Sequence, residues 1–285
     1  MKIIQLHNST PSQMMGFLLV TDGGKLIAVD GGTEGDAPEF KRLVREHGGH
    51  IDFWFLTHPH HDHHDVFVTL SEHPEADITA DLVCYSPAPE DFMVLDKDQT
   101  INDIIRFRSA LQITPYPVHI LKAGEAFETD NVRIDVLRVV NESLKEDFIN
   151  NLSVVFRITE RLPGEKTFKM IFLGDLARQG GEELLALYAE DRSALKADAV
   201  QMAHHGQNGV ELPVYEAIAP RYAFWPTPDW LWTNTPHGWK TGSGPWKTLE
   251  VRAWMEQLGA EPITSMQEHA VFDTNPVSYT HLRAH

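Results

Sequence analysis

Five histidines and two aspartates stand within nine residues of this chain, between Thr57 and Asp65. Imidazole nitrogens and carboxylate oxygens are the ligands that divalent metals such as zinc prefer. The segment directly follows Ile51–Leu56, a mostly apolar run of strand character, and a strand that ends in a tight turn is a rigid base for converging ligands. These observations favour a metal site over the alternative, a solvated histidine-rich surface tract.

The spacing His-x-His-x-Asp-His lets the first two histidines turn toward one metal ion, while the aspartate and the last histidine reach a second ion beside it. The predicted ligands from this segment are His58, His60, Asp62 and His63. By alternation of side chains, His61 and His64 point elsewhere, and we expect them to be solvated or to lie behind the ligands.

Three other segments end in residues of the same types. An apolar strand precedes Asp175, whose carboxylate can bridge two metals, and another precedes His204 and His205. Either of these histidines can deliver an imidazole nitrogen. Asp30, at the end of a predicted strand, can accept a hydrogen bond from a metal-bound histidine ring and fix its tautomer.

The order Asp-Gly-Gly, His-x-His-x-Asp-His, Gly-Asp and His-Gly, spread over residues 2–274, resembles the metallo-β-lactamase superfamily. The resemblance implies an α/β fold, an αββα sandwich of two mixed sheets with helices on the outer faces. It also implies a hydrolytic site for one or two metals at one edge of the sheets. Carried over to this sequence, the first metal takes His58 and His60, the second takes Asp62, His63 and His205, and Asp175 bridges them.

One departure from the superfamily pattern is informative. Most members place another histidine ligand of the first metal before the bridging aspartate, but here only His73 and His119 occur there, neither at a suitable strand end. With Asn151 before a strand and the paired histidines before Gly206, the chain resembles the branch of competence-type DNA-uptake hydrolase domains and phosphorylcholine esterases. That branch implies phosphodiesterase activity. Asn151 is therefore a candidate site residue, although an amide that holds a strand-entry turn is the alternative.

The predicted reaction is metal-assisted hydrolysis of a small phosphodiester, with two divalent ions, zinc by preference and manganese or iron as possibilities. Asp62, with Asp175, would orient the attacking water, and His204 would face the substrate and assist the leaving group. Trp225 and Trp230 lie in a tryptophan-rich segment that could border the substrate mouth, or could fill a core beneath a loop.

Two alternatives stay open. The same metals could hydrolyse a carboxylic ester, a lactone or a β-lactam. The chain could also be a metal-binding protein without hydrolytic activity, which senses or buffers metal.

The elements that must position these residues form a pattern of early strands, then helices and more strands. This pattern predicts two packed sheets with outer helices in one domain, residues 1–275. We expect the helix after the histidine-rich turn to begin at Asp65. Residues 276–285 resemble translated adapter DNA found at the ends of unrelated sequences, and we expect a non-native tail there.

Composition narrows the partners. With 24 Lys and Arg against 41 Asp and Glu, the net charge is −17 and no basic stripe appears, so a small-molecule substrate is favoured over a nucleic-acid polymer. Cys84 is the single cysteine, which excludes an intramolecular disulfide, and its apolar surroundings predict a buried thiol. We find no signal peptide, and the apolar patch Met14–Val20 is too short to span a bilayer, so we expect a cytoplasmic protein. The oligomeric state is open.

Overall fold

The computed structural model describes residues 1–89, 101–236 and 238–275. In these residues the strands are β1 (Lys2–Gln5), β2 (Gly16–Val20), β3 (Leu26–Asp30), β4 (His50–Ile51), β5 (Phe53–Phe55), β6 (Thr79–Ala80), β7 (Val83–Tyr85), β8 (Val118–Ile120), β9 (Ala126–Thr129), β10 (Val132–Arg138), β11 (Val155–Arg161), β12 (Thr167–Phe172), β13 (Ala199–Gln201), β14 (Tyr222–Trp225), β15 (Glu261–Thr264) and β16 (Ala270–Asp273). The helices are α1 (Ala37–Glu46), α2 (His61–Glu72), α3 (Ile101–Ile113), α4 (Arg178–Leu187), α5 (Leu212–Ile218), α6 (Asp229–Trp232) and α7 (Thr248–Leu258). The proposed non-native tail lies outside the described residues.

The strands form two large mixed sheets. The first sheet has the order β16-β1-β2-β3-β5-β7-β8 and the second has the order β15-β14-β13-β12-β11-β10-β9. Aromatic side chains join the inner faces: Phe55 stacks on Phe156 with ring centroids 4.8 Å apart, and Phe17 meets Phe172 edge-on at 5.2 Å. Burial of these large rings provides much of the apolar area that holds the sheets together.

Helices cover the outer face of each sheet. On the first sheet, Phe40 of α1 stacks on Trp54 of β5 at 5.1 Å, and Phe67 of α2 meets the same tryptophan edge-on at 5.7 Å. On the second sheet, Leu184 of α4 and Ile218 of α5 are fully buried within one apolar cluster with strand residues. The predicted αββα sandwich is thereby confirmed.

One edge of the sandwich gathers several strand ends. β3 and β5 are parallel in the first sheet, and β12 and β13 are parallel in the second, so the chain leaves each pair at one end. The backbone N–H of Val154 donates to the carbonyl of Thr57 across this edge, at 2.9 Å. The sequence following β3, β5, β12 and β13 therefore converges on one region.

The start of α2 corrects a prediction. The helix begins at His61 and not at Asp65, and the N–H groups of His63 and His64 donate to the carbonyl of His60 at 3.0 and 3.1 Å. A run of polar residues lacks the apolar periodicity that reveals a helix in sequence. Asp62 in the first turn also suits the positive end of the helix dipole.

Among the residues that the structure describes, we find no helix with the length and apolar character needed to cross a bilayer.

Candidate metal centre

The six predicted ligands come together at the shared edge. His58 and His60 follow β5, Asp175 follows β12, and His205 follows β13, while Asp62 and His63 lie in the first turn of α2. Their side chains form two groups, each with one ligand atom per residue within 4.8 Å of the others: His58, His63 and Asp175, and Asp62, His63 and His205. Nδ1 of His60 lies 2.9 Å from Nε2 of His58, which places it beside the first group.

The Asp175 carboxylate lies at the centre of these groups. Its oxygens are 3.2 Å from Nε2 of His63, 3.5 Å from Nε2 of His205 and 3.8 Å from Nε2 of His58. The side chain is 1 % exposed, yet neither carboxylate oxygen accepts a hydrogen bond of normal geometry. A buried carboxylate without a hydrogen-bond partner is costly unless a cation compensates it. The donor set around it, imidazole nitrogen and carboxylate oxygen, is that of a zinc-like divalent ion, so these residues fit such a metal.

Three histidine rings are oriented by acceptors at Nδ1. Nδ1 of His63 donates to Oδ2 of Asp30 at 2.7 Å, and Nδ1 of His205 donates to the carbonyl of Pro226 at 2.8 Å. Nδ1 of His58 lies 3.1 Å from the hydroxyl of Thr57, which itself donates to Asp30. With the Nδ1 proton held in this way, Nε2 of each ring faces the centre of the cluster and is the nitrogen that could bind a metal. Asp30 therefore contacts Nδ1 of one ring of the cluster and, through Thr57, the loop that carries His58.

Burial and charge shift the ionisation of the cluster. Burial lowers the pKa of His60 to about 4 and, together with nearby His63, holds the pKa of His58 well below its usual range. Burial opposes the charged form of His63 too, but Asp175 and Asp30 outweigh it and raise its pKa well above the usual range. Burial by itself raises the pKa of the Asp175 carboxyl, but the surrounding histidines outweigh it and hold this pKa well below its usual value. The centre thus holds anionic carboxylates beside two histidines with a lowered pKa, His58 and His60, and a histidine with a raised pKa, His63.

His204 and His205 are separated by an unusual turn. Both have left-handed φ values, 51° and 54°, and Gly206 follows at 78°. Such a conformation costs non-glycine residues on the order of 1–3 kcal/mol each, so surrounding contacts must maintain it. The turn buries His205 completely and leaves the His204 side chain 17 % exposed, with Nε2 3.8 Å from Oδ2 of Asp175. His205 is the buried partner of the cluster, and His204 lines its open side.

The other candidates lie outside the cluster. Oδ1 of Asn151 accepts from the N–H groups of Ala177 and Gly180 at 3.2 and 2.9 Å, which holds the first turn of α4. Asn151 therefore supports a helix start, and not the strand-entry turn that the sequence offered as the alternative. Trp225 is 1 % exposed in the core, and Trp230 is partly exposed with its indole N–H on the carbonyl of Pro11.

His61 and His64 diverge because they lie on a helix. The ring of His61 is exposed and its Nδ1 lies 3.1 Å from Asp103, whereas the ring of His64 is fully buried and stacks on Phe107 at 5.1 Å. Neither joins the cluster. His64 is not solvated, since helical geometry turns it toward the core.

The structure adds two residues that no sequence motif marks, Gln13 and Gln207. Nε2 of Gln13 donates to Oδ2 of Asp62 at 3.0 Å, and Nε2 of Gln207 donates to Oε1 of Gln13 at 2.9 Å. Gln13 lies in the loop between β1 and β2, where no motif marks it.

Between α2 and Asp175, no histidine of the described residues joins the cluster, although His63 completes the first group with His58 and Asp175. His73 is exposed after the end of α2, and His119 in β8 lies 2.8 Å from Glu125. In this region the N–H of Asp175 donates to the hydroxyl of Ser153 at 2.9 Å, and Arg138 donates to the Ser153 carbonyl at 2.8 Å. The Ser153 hydroxyl therefore supports Asp175, and the Arg138 guanidinium supports Ser153.

No protein-family model and no curated protein matches the chain. Several solved structures do match the chain. The metallo-β-lactamase fold protein YhfI from Bacillus subtilis is 12 % identical, with a TM-score of 0.54 over 95 % of this chain and 98 % of that one. Unliganded yeast PDE1 is 14 % identical, with a TM-score of 0.56 over 95 % and 99 %. The β-hydroxylase CmlA is 13 % identical, with a TM-score of 0.53 over 95 % of this chain and 53 % of that one. The chain has the metallo-β-lactamase fold.

Proposed function

We propose that this protein is a metal-dependent hydrolase with a binuclear centre, and that its substrate is a small phosphodiester. The observation that carries the proposal is the Asp175 carboxylate, buried between two histidine-containing groups with no hydrogen-bond donor of its own. A fold alone does not determine chemistry, and the β-hydroxylase CmlA shares this one, so the argument depends on the side chains.

The residues that would hold the metals are those of the sequence prediction: His58 and His60 for the first ion, Asp62, His63 and His205 for the second, and Asp175 between them. Two such ions supply an activated water near neutral pH and a Lewis acid for the oxygen that gains charge. Zinc is favoured, and manganese or iron suits the same donors.

The protein's own groups then divide the remaining work. Asp62 and Asp175 are anionic and buried, so they can accept a hydrogen bond from the attacking water and orient it. His204 is the partly exposed histidine beside Asp175, so its Nε2 can give a proton to the departing alkoxide. Because the other proposed ligands are largely buried, bulk water has little access to them.

A phosphodiester is favoured by two observations. Between the His-x-His-x-Asp-His motif and Asp175, no histidine of the described residues joins the cluster, a departure that resembles the competence-protein and phosphorylcholine esterase branch. Yeast PDE1, by its name a phosphodiesterase, shares the fold over nearly its whole length.

The test combines metal analysis with a substrate panel. Elemental analysis of purified protein should give close to two divalent ions per chain. A chromogenic phosphodiester should be hydrolysed faster than a chromogenic ester, a lactone or a cephalosporin. His60→Ala and Asp175→Ala should each lower kcat/KM by at least about 100-fold, while His73→Ala, an exposed histidine, should retain activity.

The outcomes separate the alternatives. Turnover of the carbonyl substrates alone would replace the phosphodiester with an ester, lactone or β-lactam. Stoichiometric metal without turnover of any substrate would favour a protein that senses or buffers metal. Losses below about tenfold in both ligand variants would contradict the metallo-hydrolase itself.

A further inference from the structure

Two loops meet at the second metal position through a pair of glutamines. The loop between β1 and β2 brings Gln13 to the Asp62 carboxylate, with Nε2 3.0 Å from Oδ2. The loop after β13 brings Gln207, whose Nε2 donates to Oε1 of Gln13 at 2.9 Å. A continuous chain of hydrogen bonds therefore runs from Gln207 through Gln13 to a proposed ligand.

Gln13 contacts the same oxygen of Asp62 that faces His205, a histidine of the second group. Oδ2 of Asp62 lies 3.2 Å from Nε2 of His205, so the donor from Gln13 and the ring of His205 share one carboxylate oxygen. An amide N–H on that oxygen limits rotation of the carboxylate about its last bond. Hydrogen bonds of this kind orient metal ligands, and their loss typically costs 10–100-fold in metal affinity or activity.

The surroundings make this contact more than a surface hydrogen bond. Asp62 is 3 % exposed, Gln207 is 6 % exposed and Gln13 is half-buried between them, so water has little access to the Asp62 oxygen. The backbone repeats the connection, because the N–H of Met15 donates to the carbonyl of Asp62 at 3.0 Å. The β1–β2 loop is thus joined to the first turn of α2 by both backbone and side chain.

We infer that Gln13 is a positioning residue for the second metal, that it acts through Asp62, and that Gln207 acts only through Gln13. The inference rests on the proposed function for the identity of the centre. It assigns a role to a loop outside the ligand motif, and it predicts that the first metal does not depend on that loop. In the part of the chain that the structure describes, the hydrogen bonds of the two glutamine side chains reach Asp62 and each other, and not His58 or His60.

The experiment measures metal affinity in the intact protein by competition with a chromogenic chelator, using Zn²⁺. Gln13→Leu removes the donor with little change in volume, and it should weaken the second ion by 10–100-fold while the first keeps its affinity. Gln207→Leu should have a smaller effect. The double variant should lose as much affinity for the second zinc ion as Gln13→Leu alone, because Gln207 acts only through Gln13.

The chain offers a matched control. Nε2 of Gln267 donates to Oδ2 of Asp229, also at 3.0 Å, but on the exposed surface. Gln267→Leu should leave both zinc affinities unchanged, and equal melting temperatures of the variants would exclude unfolding as the cause. Gln13→Glu keeps the shape of the side chain but replaces the donor with an acceptor. Its affinity for the second zinc ion should therefore fall further than that of Gln13→Leu.

Activity provides the second measurement. With the preferred substrate of the wild type, Gln13→Leu at saturating zinc should lower kcat with little change in KM, since Gln13 contacts a ligand. Unchanged second-site affinity in Gln13→Leu and Gln13→Glu would overturn the inference, as would additive effects in the double variant. If the wild type binds two ions but hydrolyses no substrate, the proposed function fails while the affinity data still decide the role of Gln13.

Discussion

Nδ1 of His63 lies 2.7 Å from Oδ2 of Asp30, and both side chains are fully buried. The same carboxylate accepts from the backbone N–H and the hydroxyl of Thr57, each at 2.7 Å. Since His63 belongs to both ligand groups and Thr57 precedes His58, one carboxylate at the end of β3 orients residues on both sides of the centre. Its influence extends beyond a single ring.

Asp30→Asn should therefore weaken both metals, by roughly 10–100-fold in affinity. Asparagine tolerates the left-handed φ of 51° at this position, so the backbone need not change. Chelator competition with Zn²⁺ measures the effect. Glu160→Gln is the control, a fully buried carboxylate of β11 that pairs with the N-terminal ammonium and belongs to neither ligand group. Equal affinities in the two variants would contradict the role of Asp30.

Metal binding near pH 7 should release protons, and their source should be specific. Neighbouring carboxylates raise the pKa of His63 and His205 against the opposing effect of burial, so these rings carry a proton before an ion displaces it. His60, with a pKa of about 4, and His58 have none to lose. Lowering the pH from 8 to 6 should weaken affinity, since more protonated rings must be discharged.

Calorimetry of zinc binding in buffers of different ionisation enthalpy counts these protons. The count at pH 7 should lie between one and two, as an estimate from the two raised groups. It should fall in Asp30→Asn, because the acceptor that raises the pKa of His63 is lost. A heat of binding independent of the buffer would show that the rings are neutral beforehand.

The ligand set shows what a sequence can predict here. The types and order of His58, Asp175 and His205 indicate the chemistry, because metal coordination admits few side chains and parallel strand ends converge. The start of α2 could not be predicted, since its first turn is held by tertiary contacts and has no apolar periodicity. Gln13 was invisible for another reason: its loop has no pattern, and only the fold brings it to Asp62.

The tryptophans and Asn151 show the limit of assigning roles by neighbourhood in the chain. Trp225 lies at the end of a strand and packs against Trp232 at 5.2 Å, inside the core that the sequence offered as the alternative. Asn151 holds α4. Side-chain direction decides these cases, and it depends on packing rather than on local sequence.

Cys84 should resist thiol reagents in the folded protein. Its side chain is fully buried, and burial raises the pKa of the thiol to about 12. At pH 8, reaction with a chromogenic disulfide should be on the order of 100-fold slower than in urea-unfolded protein, because both the thiolate and access are lacking. A cysteine placed at exposed Ser143 should react at once. Above pH 9 the unfolded thiol ionises while the folded one does not, so stability should fall with rising pH.

Gly206 should tolerate no side chain. A Cβ there would lie 2.3 Å from two ring atoms of Trp225, and its φ of 78° is unfavourable for other residues. We expect Gly206→Ala to lower the free energy of unfolding by about 2–4 kcal/mol, the sum of backbone strain and overpacking. Urea denaturation measures this. Gly124→Ala, at a φ of 81° with no atom within 4 Å of the added Cβ, isolates the strain and should cost only about 1 kcal/mol.

The Gly206 substitution should also reach the metal centre, since the clash falls directly after His205, whose ring must stay against the carbonyl of Pro226. Zinc affinity at the second position should therefore fall in Gly206→Ala and not in Gly124→Ala. Replacing Trp225 by leucine makes room, so the cost of Gly206→Ala should shrink in that background. Equal costs in the two backgrounds would mean that the left-handed backbone alone, and not the Trp225 ring, requires glycine.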